Sequence, residues 1–195
     1  MRQLSAIEII DWIWLIWILN WLLSALFVKK VETKEPGKKR LAHLILIGAG
    51  LVAMYGREWH LGLLDRHFIS PTSTIHGIAV CLSAAGLILA FWARAHIGQY
   101  WSATIALKQD HRVIQTGPYA YLRHPIYTGI ILAFVGQLLV TGQYRGILGL
   151  GLIVAALVQK ARSEEGLLSQ SLGPAYRDYR QNTGFLLPKV NLYRG

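Results

Sequence analysis

The sequence predicts an all-α protein with about five transmembrane helices, and two features of its composition indicate this. Of its 195 residues, 53% are hydrophobic and only 15% are charged, whereas soluble domains carry about 25% charged residues. The charges are unbalanced, with 20 Lys and Arg against 10 Asp and Glu, for a net charge of +10. Such hydrophobicity excludes a disordered chain and argues against a nucleic-acid-binding module. A membrane protein with its basic residues on one side fits both features.

Five apolar stretches follow one another along the chain, at residues 12–28, 41–55, 73–93, 125–140 and 146–158. The first reaches the roughly 17–25 residues that are needed to cross a bilayer. It is preceded by the acids Glu8 and Asp11 and followed by Lys29 and Lys30, unlike a signal peptide, which starts with basic residues. We therefore expect it to be a retained span.

The last two stretches are short and are joined by a tight polar link at residues 141–145. This spacing predicts a helical hairpin that returns the chain to the side it left. We expect the polar tail after residue 158 to begin as a continuation of the fifth helix. Three glycines of the fifth stretch, Gly146, Gly149 and Gly151, are expected to form a helix-packing surface.

The positions of the basic residues predict the orientation of the chain. If every stretch crosses, the basic residues on one side are Arg2, Arg57, Arg66 and Arg145. All the others lie on the side of the loop at residues 29–40, which the positive-inside rule makes cytosolic. We therefore expect a multi-pass protein of the cell membrane with its N-terminus outside and its C-terminus in the cytosol.

This topology divides the chain into two parts. Residues 1–95 hold the first three helices, and residues 96–195 hold the last two together with two polar segments that meet on the cytosolic face. The chemistry should therefore be sought in residues 96–195. The 29–40 loop is expected to contact anionic membrane lipids, and no nucleic acid is expected as a partner.

The polar segment before the fourth helix contains the first candidate site. Pro125 suits the first position of a helix, which makes His124 the residue that begins it. The N–H groups of a helix start bind carboxylate or phosphate. Planar side chains suited to a heterocycle surround this point, namely Tyr119, Tyr121 and Tyr127. In a second interpretation, the aromatic residues only anchor the membrane interface and His124 only caps the helix.

The polar tail contains the second candidate site. On a helix Lys160 shares a face with Glu164, and Arg162 lies near Glu165. The alternative is a juxtamembrane helix with surface ion pairs, which contribute little energy. Cys81 is the one cysteine, so a disulfide within the chain and a cysteine-based metal site are excluded, and no metal is expected.

Together the two segments resemble the isoprenylcysteine carboxyl methyltransferase family of integral membrane methyltransferases, over residues 100–188. The resemblance rests on an ordered set of residues: Gly117-Pro118-Tyr119, Arg123-His124-Pro125, Tyr127, Gly129, Glu164-Glu165, Leu168, Gly173, Tyr176 and Tyr179. It implies that the cofactor is S-adenosylmethionine, with S-adenosylhomocysteine as its product. It also implies a cytosolic cofactor pocket, formed by the loop before the fourth helix and the C-terminal tail.

The resemblance implies roles for individual residues as well. The cofactor would be bound by His111, Arg112, Val113, Ile114, Tyr119, His124, Tyr127 and Glu164. The residues implied for catalysis and for holding the acceptor are Lys160, Arg162 and Glu165. Lys160 stands where eukaryotic members have an arginine, and Arg162 matches a basic residue of many prokaryotic relatives.

The expected reaction is methyl transfer to a lipophilic small molecule, similar to a prenylcysteine carboxylate, that enters from the bilayer. A thiol or amine acceptor would need a general base, for which Glu165 and His124 are candidates, whereas a carboxylate would not. A phospholipid N-methyltransferase is one alternative. An NADPH-dependent sterol-type reductase is another, with Arg112, Arg123 and Arg162 as candidates for the 2′-phosphate. A transporter is disfavoured because ionisable residues are scarce within the spans.

Overall fold

The computed structural model describes residues 4–25, 31–34, 37–56, 60, 62–98, 106–108 and 113–189. Within them the elements are α1 (Ala6–Ala25), β1 (Val31–Lys34), α2 (Gly37–Tyr55), α3 (Ser73–Ile97), β2 (Ala106–Lys108), α4 (Pro125–Thr141) and α5 (Tyr144–Asn182). Single turns of 3-10 helix cover Gly62–Asp65 and Gly117–Ala120. The predicted all-α class is confirmed. The short antiparallel pairing of β1 with β2 was not predicted.

Helices α1, α3 and α5 are long and apolar enough to cross a membrane, while the apolar parts of α2 and α4, Arg40–Tyr55 and Pro125–Thr141, are shorter. Large apolar side chains lie on the outside of these helices, among them Ile16, Leu22 and Ile88, each more than half exposed. Apolar surface of this kind suits contact with lipid rather than with water. The chain therefore has the features of a multi-pass membrane protein.

The first helix starts before the predicted apolar stretch because a capping box begins it. The backbone N–H of Ser5 donates to the Glu8 carboxylate at 2.8 Å, and the Ser5 hydroxyl accepts from the Glu8 N–H at 3.3 Å. These reciprocal bonds satisfy helix-start donors, and the acid lies at the positive end of the helix dipole. A polar residue that interrupts the apolar pattern thus belongs to the helix.

The third helix also runs past its predicted end. Arg94 is buried, and its guanidinium donates to the carbonyl of Gly98 at 2.9 Å. It also lies 5.9 Å from the centre of the Trp21 ring of α1. Because the cation meets a carbonyl at the helix C-terminus and an aromatic face, it is accommodated inside the protein.

Glycines bring two pairs of helices into backbone contact. A Cβ on Gly86 of α3 would overlap the backbone of Gly129 in α4, and a Cβ on Gly149 of α5 would lie 2.6 Å from the carbonyl oxygen of Gly50 in α2. Small residues at such positions let membrane helices approach closely. The predicted packing role is confirmed for Gly149 and Gly146. It is wrong for Gly151, around which the space is open.

The predicted hairpin of the last two helices is present, and the central core lies along it. Phe134 of α4 packs with Ile153 and Leu157 of α5 and with Met54 of α2. The ring of Trp14 in α1 lies 4.7 Å from that of Phe134. The most extensive helix contacts join α3 to α4 and α2 to α5, so each arm of the hairpin is backed by an earlier helix.

The link between α4 and α5, the turn end of the hairpin, is bonded to the end of α2 by a buried arginine. Arg145, 3% exposed, donates to the carbonyls of Ala53 at 2.8 Å and Gly56 at 2.5 Å, and it contacts the Asp65 carboxylate at 3.3 Å. These carbonyls belong to the end of α2. From the sequence, Arg145 counted only among the basic residues of the outer side, whereas in the fold it bonds the carbonyls at a helix terminus.

The fifth helix continues well beyond its apolar stretch, as predicted, to Asn182. Its course changes at Gly173, whose backbone (φ 55°, ψ −126°) is not helical, just before Pro174. Beyond this kink, Tyr179 donates its hydroxyl to the carbonyl of Tyr119 at 2.8 Å. The last part of α5 thereby docks on the loop that precedes α4.

Candidate active site

The loop before α4 is held in shape by a tight turn against α3. Gly117 has a φ of 58°, and a Cβ there would lie 2.7 Å from the His96 ring, so glycine is required. His96 also hydrogen-bonds the Thr116 hydroxyl at 2.8 Å and stacks on the buried ring of Tyr119. Burial raises the pKa of Tyr119, so its phenol stays protonated. This loop is therefore a fixed wall beside the start of α4.

The start of α4 brings together three of the predicted cofactor-binding residues. The Tyr127 hydroxyl donates to Glu164 Oε1 at 2.6 Å, and Nδ1 of the buried His124 lies 3.7 Å from Glu164 Oε2. The His124 and Tyr127 rings are parallel within 5°, with centroids 5.5 Å apart. The Glu164 side chain is 22% exposed, which leaves the carboxylate accessible from one side.

Glu165, the neighbouring acid, lies in a buried ion-pair network. Its carboxylate contacts Arg123 Nε at 2.5 Å, His124 Nε2 at 3.3 Å and Arg180 Nε at 3.4 Å. It lies beyond the apolar part of α5, on the polar extension. Burial acts to raise the pKa of Glu165, but the hydrogen bonds from His124 and Arg123 outweigh it and lower that pKa. Glu165 is thus a carboxylate that resists taking a proton.

The two basic residues predicted for the acceptor lie on different sides of α5. Lys160 Nζ lies 5.6 Å from the centre of the Tyr127 ring, one helical turn from Glu164. Arg162 is exposed, and two residues further along a helix is about 200° around its axis. The structure therefore places Lys160 with the cluster of His124 and Tyr127, and Arg162 away from Lys160.

The remaining predicted residues precede this loop. His111 and Arg112 lie outside the described residues. Val113 and Ile114 are half-buried, and Ile114 packs with the cluster that includes Tyr119 and Ile126. Ile114 thus contributes an apolar wall at the same end of α4.

A segment that the sequence analysis missed also reaches the site. Residues 183–186, called the strap from here on, cross the start of α4. The Arg123 N–H donates to the Gly184 carbonyl at 2.8 Å, and Thr128 Oγ1 donates to the Leu186 carbonyl at 2.8 Å. The Phe185 ring meets His124 edge-on, with centroids 5.1 Å apart. A Thr-Gly pair after a helix indicates only that the helix ends, so the sequence held no signal for this pairing.

Comparison with known proteins identifies relatives for the part of the chain that contains this site. The isoprenylcysteine carboxyl methyltransferase (ICMT) family matches residues 78–170. The protein-S-isoprenylcysteine O-methyltransferase of Schizosaccharomyces pombe is 30% identical over 101 residues, which are 50% of this chain and 43% of that protein. A methanethiol S-methyltransferase from a Pseudomonas species is 35% identical over 77 residues, which are 40% of this chain and 29% of that protein.

One solved structure shares the fold. The eukaryotic intramembrane Ras methyltransferase ICMT superposes with a TM-score of 0.52 at 18% identity, over 81% of this chain and 55% of that one. The chain spans less than half the length of the curated relatives it matches. The family match includes both α4 and the Glu164-Glu165 pair of α5. Over residues 78–170, just under half of its length, the chain is similar to the isoprenylcysteine carboxyl methyltransferase family.

Proposed function

We propose that the protein is an integral membrane methyltransferase that uses S-adenosylmethionine and methylates a lipophilic small molecule. One observation supports this above the others. Two segments of the family match, far apart in the chain, meet where Tyr127 donates to Glu164 at 2.6 Å beside His124. Two relatives are named as methyltransferases, one acting on prenylated cysteine and one on methanethiol.

The side chains at the start of α4 fit the chemistry of this cofactor. S-adenosylmethionine carries an ammonium, a carboxylate, ribose hydroxyls and a planar adenine. The partly exposed Glu164 carboxylate would accept hydrogen bonds from the ammonium or the ribose. The first turn of α4 offers N–H groups for the carboxylate. The parallel rings of His124 and Tyr127, and the apolar Ile114, suit the adenine.

When bound, the cofactor supplies a methyl group on a positively charged sulfur. The residues of this chain would hold donor and acceptor in line and keep water away, and proximity of this kind is worth about 7–11 kcal/mol. An acceptor carboxylate is already anionic and needs no base. Lys160, beside Tyr127, would hold that carboxylate as a point charge. Arg162, which is exposed, would at most contact a ligand at the outer edge of the site.

The membrane setting explains how two unlike substrates would reach one site. We place the catalytic region, residues 96–195, at the cytosolic face, with the N-terminus of the chain outside the cell. The water-soluble cofactor would then arrive from the cytosol. The lipophilic acceptor, similar to a prenylcysteine carboxylate, would enter sideways from the bilayer of the cell membrane.

The NADPH-dependent alternative is weakened by the position of one arginine. Arg123 was a candidate for the 2′-phosphate, but its side chain is 10% exposed and bonds Glu165 and the carbonyl of Arg180. A phospholipid amine remains the second candidate acceptor. It would need a base, and His124 is better suited than Glu165, because the pKa of Glu165 is lowered.

Calorimetry on the purified protein tests the cofactor. We expect binding of S-adenosylhomocysteine and no binding of NADPH under the same conditions. Binding of NADPH alone would overturn the assignment. Assays with prenylcysteine, thiol and phospholipid acceptors, using radiolabelled S-adenosylmethionine, would then identify the acceptor class.

A variant of Glu164 tests the site itself. Glu164→Gln keeps the shape but loses the charge, and a hydrogen bond to a charged group contributes about 1.5–3 kcal/mol. We therefore expect S-adenosylhomocysteine affinity to fall by about 10- to 100-fold, with thermal stability close to that of the parent protein. Asp178→Asn is the matched control, since Asp178 is an exposed acid of the same helix. Equal affinities in both variants would remove Glu164 from the site.

A further inference from the structure

The strap lies outside the part of the chain that the family match covers. That match ends at residue 170, whereas the strap begins at residue 183. It is nevertheless tied to the centre of the candidate site by an isolated parallel bridge between Leu122 and Gly184. The backbone N–H of His124 also donates to the carbonyl of Phe185, at 3.3 Å. The strap therefore contacts the same residue that faces Glu164.

Arg123 is the residue on which the strap is assembled. Its guanidinium pairs with Glu165 and donates to two carbonyls of the tail, those of Arg180 at 3.0 Å and of Thr183. Its charged end also lies 5.6 Å from the centre of the Phe185 ring. The planar guanidinium, with several donors in fixed directions, can meet all these partners at once, which a lysine cannot.

Glu165 completes this arrangement from α5. Glu165 is 5% exposed, and its carboxylate faces three positively charged or protonatable groups, on Arg123, His124 and Arg180. A general base needs a pKa near the working pH, whereas the pKa of Glu165 is lowered. The surroundings of Glu165 therefore suit a carboxylate that holds other groups in place.

We infer that Arg123 and Glu165 are positioning residues that lock the strap over His124, so that the strap forms a further wall of the cofactor site. The lock joins three parts of the chain: the start of α4, the polar extension of α5 and the strap. By holding the His124 ring between Phe185 and Tyr127, it keeps that ring opposite Glu164. The role of the strap as a cofactor wall rests on the proposed function, whereas the lock itself does not.

The test compares two variants of the full-length protein in detergent. Glu165→Gln removes the negative charge of the carboxylate. Arg123→Lys keeps the positive charge but removes the planar guanidinium with its several donors. We expect backbone hydrogen exchange in the strap, residues 183–186, to become about tenfold faster in both variants. We also expect the KM for S-adenosylmethionine to rise about tenfold, while kcat at saturating cofactor stays within about threefold. If the rate of backbone hydrogen exchange in the strap were unchanged in both variants, the proposal that Arg123 and Glu165 hold the strap over His124 would be overturned.

The kinetic result separates positioning from chemistry. If Glu165 were the general base, Glu165→Gln would lower kcat by 100-fold or more, would leave the KM for the cofactor unchanged, and would remove the acidic limb of the pH profile. That outcome would overturn the proposal for Glu165. Arg123→Lys keeps Glu165 itself and a positive charge beside it, so it would then lower kcat far less than Glu165→Gln does.

A third variant tests the strap where the first two fail to fold. Phe185→Leu keeps an apolar side chain but loses the ring contacts with Arg123 and His124, and Leu187→Ala is its matched control because Leu187 is 77% exposed. We expect weaker S-adenosylhomocysteine binding only in Phe185→Leu. Equal affinities in the two variants would overturn the proposal that the strap forms a wall of the cofactor site. If the parent protein binds no S-adenosylhomocysteine, the proposed function fails, while the exchange experiment still decides the lock.

Discussion

The two ends of the α4–α5 hairpin share two features, an arginine of low exposure and an isolated β-bridge. At the turn end, Arg145 is buried, and a bridge between His67 and Gln143 ties a loop to the link. At the other end, called the site end, Arg123 has a 10% exposed side chain, and a bridge between Leu122 and Gly184 ties the strap to the loop before α4. At each end an arginine thus bonds a carboxylate and backbone carbonyls.

The ends differ in what the carboxylate touches. Asp65 at the turn end has a side chain 27% exposed, and Arg145 also bonds carbonyls that end α2. At the site end Glu165 also contacts His124, which faces Glu164. A buried arginine therefore completes the fold at one end and, by our proposal, orients binding groups at the other. The low exposure of an arginine therefore does not by itself distinguish a role in stabilising the fold from a role in orienting binding groups.

The largest expected effect is at the turn end. Arg145→Met removes the guanidinium that bonds Asp65 and the carbonyls of α2, and breaking a buried ion pair costs about 3–5 kcal/mol. Because Asp65 is partly exposed, we expect a loss of about 2–4 kcal/mol in unfolding free energy, measured by denaturation in detergent. S-adenosylhomocysteine affinity of the folded protein should be unchanged. Arg66→Met, at an exposed arginine next to Asp65, is the control. An equal loss there would contradict the role of Arg145.

A smaller effect is expected from Tyr127→Phe at the site end. The change removes the hydroxyl that donates to Glu164 at 2.6 Å, and a hydrogen bond to a charged group contributes about 1.5–3 kcal/mol. Because water can replace part of that bond, we expect cofactor affinity to fall by about 5- to 20-fold, with little change in unfolding temperature. Tyr144→Phe, at an exposed tyrosine of the turn end, should change neither quantity. A loss of stability without loss of affinity would make the Tyr127 contact structural.

The smallest effect compares two threonines of the same helix. Thr128 donates to the strap at the carbonyl of Leu186, whereas Thr141 bonds only carbonyls of α4 among the bonds seen in the described residues. Since one neutral hydrogen bond contributes about 0.5–1.5 kcal/mol, Thr128→Val should speed hydrogen exchange in the strap by about two- to tenfold. Thr141→Val should leave it unchanged. Equal rates in the two variants would show that the Thr128 bond does not hold the strap.

The sequence was sufficient for the helices and for one central contact of the site. Hydropathy predicted the five helices, because lipid contact demands long apolar stretches. The pairing of Tyr127 with Glu164 follows the predicted meeting of two polar segments, and α5 continues into the tail as predicted. These features depend on local periodicity or on a motif, and both can be read along the chain.

The rest depends on partners that periodicity does not show. Arg145 and Arg123 were counted as charges that set topology, although Arg145 is buried, Arg123 is largely buried, and each bonds backbone carbonyls. Glu8 was placed before the first apolar stretch, yet it belongs to α1 and caps its start. A carbonyl has no sequence signature, since every residue carries one. Contacts between side chains and distant backbone therefore become visible only in the structure.

The length of α5 has a consequence for how this protein can change. From Tyr144 to Glu164 the helix rises about 30 Å, at 1.5 Å per residue, which is close to the thickness of the hydrocarbon layer. The same helix therefore matches the thickness of the hydrocarbon layer and fixes how far Glu164 lies from the turn end of the hairpin. A one-turn insertion in α5 would lift Glu164 by about 5.4 Å from Tyr127 unless α4 grew equally. Adaptation to a thicker membrane would then require matched insertions in both helices.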